Sequence, residues 1–189
     1  MSRSRAVLAF SLLALVAMPA SGQEAKRSGV MGDLLQDVQG VEEKLVSLAQ
    51  AIPADKFAWR PGEGVRSVGE VVVHVAADNW FIPVLAGVAA PTNTGIDSKY
   101  ETVLAYEKRT MAKDAAIAEM QRSFAHLKKA MNDTPDSALE QQVDMFGQQA
   151  TRRAVWVLAT THLHEHLGQL IAYARTNDVV PPWSRGGGQ

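Results

Sequence analysis

The side chains in this chain best suited to metal or acid–base chemistry are five histidines, His74, His126, His162, His164 and His166. The last three crowd into one run, His162-Leu163-His164-Glu165-His166. On a helix each residue turns by about 100°, so His162 and His166 stand about 40° apart, one turn up the same face. His164 falls about 160° from either and cannot join them. The pair shares its sector with Val155, Leu158, Ala159, Leu170 and Tyr173, so it points toward an apolar interior. His74 keeps similar company in Val71, Phe81, Ile82 and Leu85, and also points inward.

An inward histidine standing alone is ordinarily a packed side chain bonded to a backbone carbonyl. Several neutral imidazoles facing one another in a dry core are different, because they are poorly satisfied without a shared cation. The expected metal set is therefore His74, His162 and His166. Three imidazoles leave a coordination position open, the pattern of a catalytic zinc. Nickel, manganese or iron would also accept imidazoles, and zinc and nickel are the metals expected here. Asp78, one turn after His74, could act as a base, hydrogen-bond a ligand histidine, bind the metal, or be a solvated surface acid. Gln169 could support the pair from behind or simply pack near Gly168. His126, among Arg122, Lys128 and Lys129, is expected to face solvent. His164 is expected at a helix border, bonded to solvent or to a neighbouring chain.

Other chemistries are excluded or weak. The chain has no cysteine, which removes disulfides, thiolate nucleophiles, cysteine-type zinc sites and iron–sulfur clusters. His-x-x-x-His lacks the glutamate of a zinc peptidase, because Glu165 sits immediately before the second histidine. No serine has a base at a motif spacing. Gly62-Glu63-Gly64 lacks the rest of a phosphate loop. The four tryptophans read as core or rim packing. A formal net charge of -1 argues against an electrostatic nucleic-acid binder.

These residues need long helices to position them. With 189 residues, 47% of them apolar, the chain is long enough for one sizeable core. Helical periodicity predicts a first helix from Val30 to Ile52, stopped by Pro53. Ser67-Val68-Gly69-Glu70 is a capping box opening a second helix that runs through about Leu85, with Pro83 kinking or ending it. A linker follows over 90–97. Ser98-Lys99-Tyr100-Glu101 reads as another capping box, opening a third helix to about Met131. Asn132 to Ser137 is a break. The last helix is predicted from Gln149 to Asn177. Strand-like alternation is scarce. The expectation is all-α, a four-helix bundle, with three-helix and irregular packings as alternatives.

The N-terminus has its own signature. Arg3 and Arg5 precede the uncharged run Ala6–Val16, and Ala20-Ser21-Gly22 offers small residues for cleavage before Gln23. This is the layout of a secretory signal peptide over 1–22. The alternative is a short anchor, but the run is only about half the roughly 20 residues that cross a bilayer. No membrane anchor is then expected after cleavage, and residues 23–189 form one domain. The protein is expected to be exported, periplasmic or secreted.

Two motifs resemble a known family. His162-Leu-His-Glu-His166-Leu-Gly168-Gln169 is similar to the His-x-x-x-His-x-Gly-Gln segment of the DinB-like proteins. Ala58-Trp59-Arg60-Pro61, then Arg66-Ser67-Val68-Gly69-Glu70 and His74, resembles the stretch leading to that family's first histidine. The resemblance covers about residues 30 to 183. It implies a four-helix bundle with a long crossover after the second helix, and a metal triad at His74, His162 and His166. It also implies metal-dependent chemistry on a small molecule, by hydrolysis or group transfer. Some relatives depend on a thiol, and export would separate this chain from cytosolic thiols. A non-catalytic, metal-holding bundle is the alternative. The partners expected are a small-molecule substrate and a second copy in a homodimer, not nucleic acid.

Overall fold

The computed structural model describes residues 27–186, so the expected signal segment over 1–22 lies outside the described residues. Helix α1 spans Val30–Ala51. Its first amides are taken by a distant carboxylate: Asp136 accepts from Val30 N at 2.8 Å and Met31 N at 3.3 Å. This satisfies donors that a helix start leaves orphaned. Gly29 before it has φ 87°, and an added Cβ would lie 2.2 Å from that carboxylate, so glycine is required twice over. At the other end Lys113 Nζ donates to Gln50 O and Ile52 O, each at 2.7 Å.

Helix α2, Val68–Leu85, forms as its capping box predicts. Ser67 N donates to Glu70 Oε2 at 2.7 Å, and Glu70 N donates to Ser67 Oγ at 3.3 Å. Apart from Gly69, Glu70, Val84 and Leu85, every residue of α2 is buried. It is apolar and long enough to cross a membrane by composition alone, but here it is the central helix of the packing.

The next segment corrects the expectation of one long third helix. Two helices occur instead, α3 at Tyr100–Glu107 and α4 at Lys113–Asp133. The start differs too. Asp97, not Ser98, organises the turn, accepting from Lys99 N at 2.8 Å, and Lys99 is the N-cap. The break has a packing reason. Helix α3 lies against α2, whereas α4 must run between α1 and α2. The short link between them is pinned by Arg109, which donates to Thr94 O at 2.7 Å and covers the Tyr106 ring.

The predicted start of the last helix at Gln149 is also corrected. Strands β1, Gln142–Met145, and β2, Gln148–Thr151, pair antiparallel with Met145 opposite Gln148. Phe146 and Gly147 form the two-residue turn, with φ 58° and 79°. Two positive φ values in succession suit the twist of a tight hairpin. Helix α5, Arg152–Thr176, follows at once, its N-cap Thr151 accepting from Ala154 N. The hairpin escaped notice because Phe146 is not a residue that advertises such a turn.

Helices α1, α2, α4 and α5 form the bundle. Both α1 and α2 pack on α4 and α5, so α1 and α2 sit on opposite corners. The crossover from α2 to α4 carries α3. One core cluster draws on all four long helices, with Leu45, Phe124, Trp156, Leu163 and Leu170 completely or almost completely buried. The protein is therefore a four-helix bundle with a long crossover after the second helix, to which a hairpin is added.

Candidate metal centre

Where α2 faces α5, three imidazoles converge. His74 Nε2 lies 3.0 Å from His166 Nε2, and His166 Nε2 lies 3.0 Å from His162 Nε2. His74 is 5% exposed and His166 5%, while His162 is half-buried. His164 is excluded by the helical angle, as expected. It reaches instead to α1, where Asp37 Oδ2 is 2.8 Å from its Nε2. It thus has a partner within the chain, and about half of its side chain stays exposed.

The far nitrogens decide what the near ones can do. His74 Nδ1 is 2.6 Å from Glu107 Oε1, and a carboxylate can only accept, so Nδ1 carries the proton. His166 Nδ1 is 2.8 Å from Gln169 Oε1, and Gln169 Nε2 donates to Tyr173 Oη at 2.9 Å. In this orientation of the Gln169 amide, His166 Nδ1 carries its proton as well. In the tautomers with the proton on Nδ1, the two Nε2 atoms present lone pairs to one another at hydrogen-bond distance. That arrangement is repulsive unless a cation lies among them, and it is the strongest reason these residues fit a metal.

Asp78 adds negative charge to the cluster. Its Oδ2 lies 3.0 Å from His162 Nε2 and 3.3 Å from His74 Nε2, and the residue is 7% exposed. The reading of Asp78 as a solvated surface acid is thereby excluded. His74, His162 and His166 form one group that could hold a metal ion, and His74, Asp78 and Glu107 form a second that shares His74.

Glu107 had no signal in the sequence, since nothing in the spacing ties the end of α3 to His74. Burial works against its charge, but the hydrogen bonds from His74 and Arg66 outweigh it and hold its carboxyl down at about 2. Arg66 Nη2 donates to Glu107 Oε2 at 2.8 Å, so the chain Arg66–Glu107–His74 links the entry of α2, the end of α3 and the metal set. Burial pushes His166 down to about 4, with further lowering from the neighbouring His162 and His74, against the opposing bond to Gln169. Both effects keep the imidazole in the neutral form that a metal ion requires.

A cleft of about 260 Å³ opens onto these donors. His74, Asp78 and His162 form its floor, and Phe81, Ile82, Tyr100, Phe146 and Leu158 its walls. Burial, with Asp78 and Glu107 nearby, raises the Tyr100 phenol above its ordinary range, so it keeps its proton. Phe146 comes from the unforeseen hairpin. Of the other singled-out residues, His126 departs from expectation. It is half-buried against Trp80, ring centroids 5.2 Å apart, and burial lowers its pKa. Gln169 does support the pair from behind, through His166. Trp59 stands edge-on to Tyr173 at 5.3 Å, extending that support to the loop before α2.

Comparison with known proteins bears on both fold and family. No functionally curated protein matches the chain. A DinB-like protein from Bacillus cereus superposes with a TM-score of 0.67 at 15% identity, covering 81% of this chain and 95% of that one. The DinB-like YjoA of Bacillus subtilis gives 0.60 at 18% identity, covering 78% and 93%. YfiT of Bacillus subtilis, described as a probable metal-dependent hydrolase with an unusual four-helix bundle topology, gives 0.64 at 15%, covering 84% and 93%. At such identities these likenesses concern the fold. The model of the DinB superfamily itself matches residues 38–170, most of the described chain and every residue of the histidine cluster, and the chain belongs to that superfamily.

Proposed function

We propose that this protein binds a divalent cation, zinc or nickel, through His74, His162 and His166, and acts as a metal-dependent hydrolase or transferase on a small molecule. The observation that carries the reading is the cleft: its floor is made of His74, Asp78 and His162, so a molecule entering it meets the metal-binding set directly. The description of YfiT as a metal-dependent hydrolase supports the same direction. His74, His162 and His166 would hold the ion, which would supply a Lewis acid for a substrate oxygen. Glu107 and Gln169 hold His74 and His166 in the tautomers that offer Nε2. Asp78 Oδ2 accepts the proton of the attacking nucleophile at the cleft floor. Tyr100, still protonated, donates a hydrogen bond to a substrate oxygen, and the apolar walls keep bulk water away. Export through the 1–22 segment places this activity outside the cytoplasm, where hydrolysis is better served than thiol transfer.

A second reading keeps the metal but not the chemistry. Asp78 lies close enough to two ligand nitrogens to close the fourth position, which would make a structural site. The test is purification without chelator, metal analysis, and turnover of small neutral esters and amides by wild type, His162→Ala and Asp78→Asn. Bound metal with metal-dependent turnover that both variants lose is the expected result. Bound metal with no turnover of these esters and amides would favour the second reading.

A further inference from the structure

Phe146 breaks two local rules at once. It holds φ 58°, a conformation that bulky L residues rarely adopt, and it leaves its ring 59% exposed at the tip of the hairpin. Asparagine, aspartate or glycine would make this turn more easily. Packing near Phe81 covers only part of the side chain, so further compensation is sought in a ligand. The ring lines the cleft above the metal set, with its centroid 6.2 Å from Phe81, while Tyr100 approaches Phe81 at 5.9 Å from the start of α3. Three separate parts of the chain thus bring aromatic rings to one small opening.

The charge pattern is equally one-sided. Among the described residues no lysine or arginine lines the cleft, and the one carboxylate that does, Asp78, sits on the floor. The Arg66 guanidinium is engaged by Glu107 behind His74. A substrate group at the floor can be polar, but a charge held between the apolar walls would be desolvated without a cationic partner. The volume, about 260 Å³, lies just below the range of roughly 300–1,000 Å³ for drug-sized ligands.

We propose that Phe146 is the specificity-determining residue of the cleft, and that the substrate class is a small molecule with an uncharged aromatic or branched apolar body and one polar group that meets the floor. This rests on the metal-dependent reading above. The hairpin tip supplies a face against which such a body packs.

The probes are three hydroxamates titrated calorimetrically into zinc-loaded full-length protein. All share the metal-binding head: acetohydroxamate has almost no body, benzohydroxamate an aromatic one, and 4-carboxybenzohydroxamate a charged one. Burying a phenyl face should make benzohydroxamate bind about tenfold tighter than acetohydroxamate, and the carboxylate should remove that gain. Phe146→Asn relieves the strained turn, so its melting temperature should stay equal or rise. It should lose most of the benzohydroxamate preference while acetohydroxamate binds as before. Phe146→Ala should show the same loss of preference. Equal binding of the three hydroxamates, or a preference untouched in both variants, overturns the proposal and leaves the metal site standing. A wild type that takes up no zinc and binds none of the probes overturns both.

Discussion

Glu107 lies behind His74, its Oε1 2.6 Å from Nδ1, and so aims the opposite nitrogen of that ring at His166. His74, the first of the proposed ligands, is therefore oriented from the crossover, not from its own helix. Partners that sit behind a ligand histidine commonly change metal affinity by about 10–100-fold when removed. Glu107→Ala should weaken zinc binding within that range. Glu107→Gln, which can still accept from Nδ1, should lose less. Competition against a chromophoric chelator measures both, and affinity unchanged in Glu107→Ala would remove the carboxylate from the site.

The ligand set itself makes a contrast within a single helix. His162→Ala and His166→Ala should each lose metal, and His164→Ala should keep it, because His164 turns away to Asp37 on the surface. That exposed pair should cost only about 0–1 kcal/mol on removal. His74→Ala should also lose metal, although it lies on another helix. Because an ion held across α2 and α5 stabilises only the native state, a chelator should lower the melting temperature of the wild type and hardly change that of His74→Ala. A His74→Ala protein with the wild-type chelator response would leave a two-histidine site on α5 alone.

Acid should destabilise even the metal-free protein. His166 falls from an ordinary 6.5 to about 4 in the folded state, chiefly through burial. Between those values the unfolded chain binds the extra proton, so stability rises with pH across the window. The contribution is complete above about 6.5 and is lost progressively as pH falls toward about 4. Glu107, held at about 2 against an ordinary 4.5, adds a loss of the same sign at lower pH. Metal release runs in the same direction, since protonated imidazoles cannot ligate. Urea unfolding of chelated protein at several pH values checks this. A His166→Phe variant should show a flatter slope between pH 6.5 and 4.

Export is tested at the N-terminus. Arg3 and Arg5 before an apolar run, with Ala20-Ser21-Gly22 after it, should lead to cleavage after Gly22 and a mature chain beginning at Gln23. Mass spectrometry of protein recovered from cell fractions reads this directly. A chain retaining Met1 and found only in the cytoplasm would end the proposal.

What the sequence alone determined was local geometry. The angle between His162 and His166, the opposition of His164, and the capping box that starts α2 all follow from hydrogen bonds between near neighbours along one helix. Those bonds are the same in any protein, so periodicity and cap residues are enough to read them. The tertiary structure decided what lies behind and above those residues. That Glu107 orients His74, that Asp78 is buried beside two imidazoles, that His126 is covered by Trp80 and that Phe146 overhangs the cleft all depend on how distant segments fold back. The break at 108–112 has the same origin. Helix α3 must cover α2 while α4 fills the groove beside α1, and only that packing requirement, not any local preference, divides one periodic stretch into two helices.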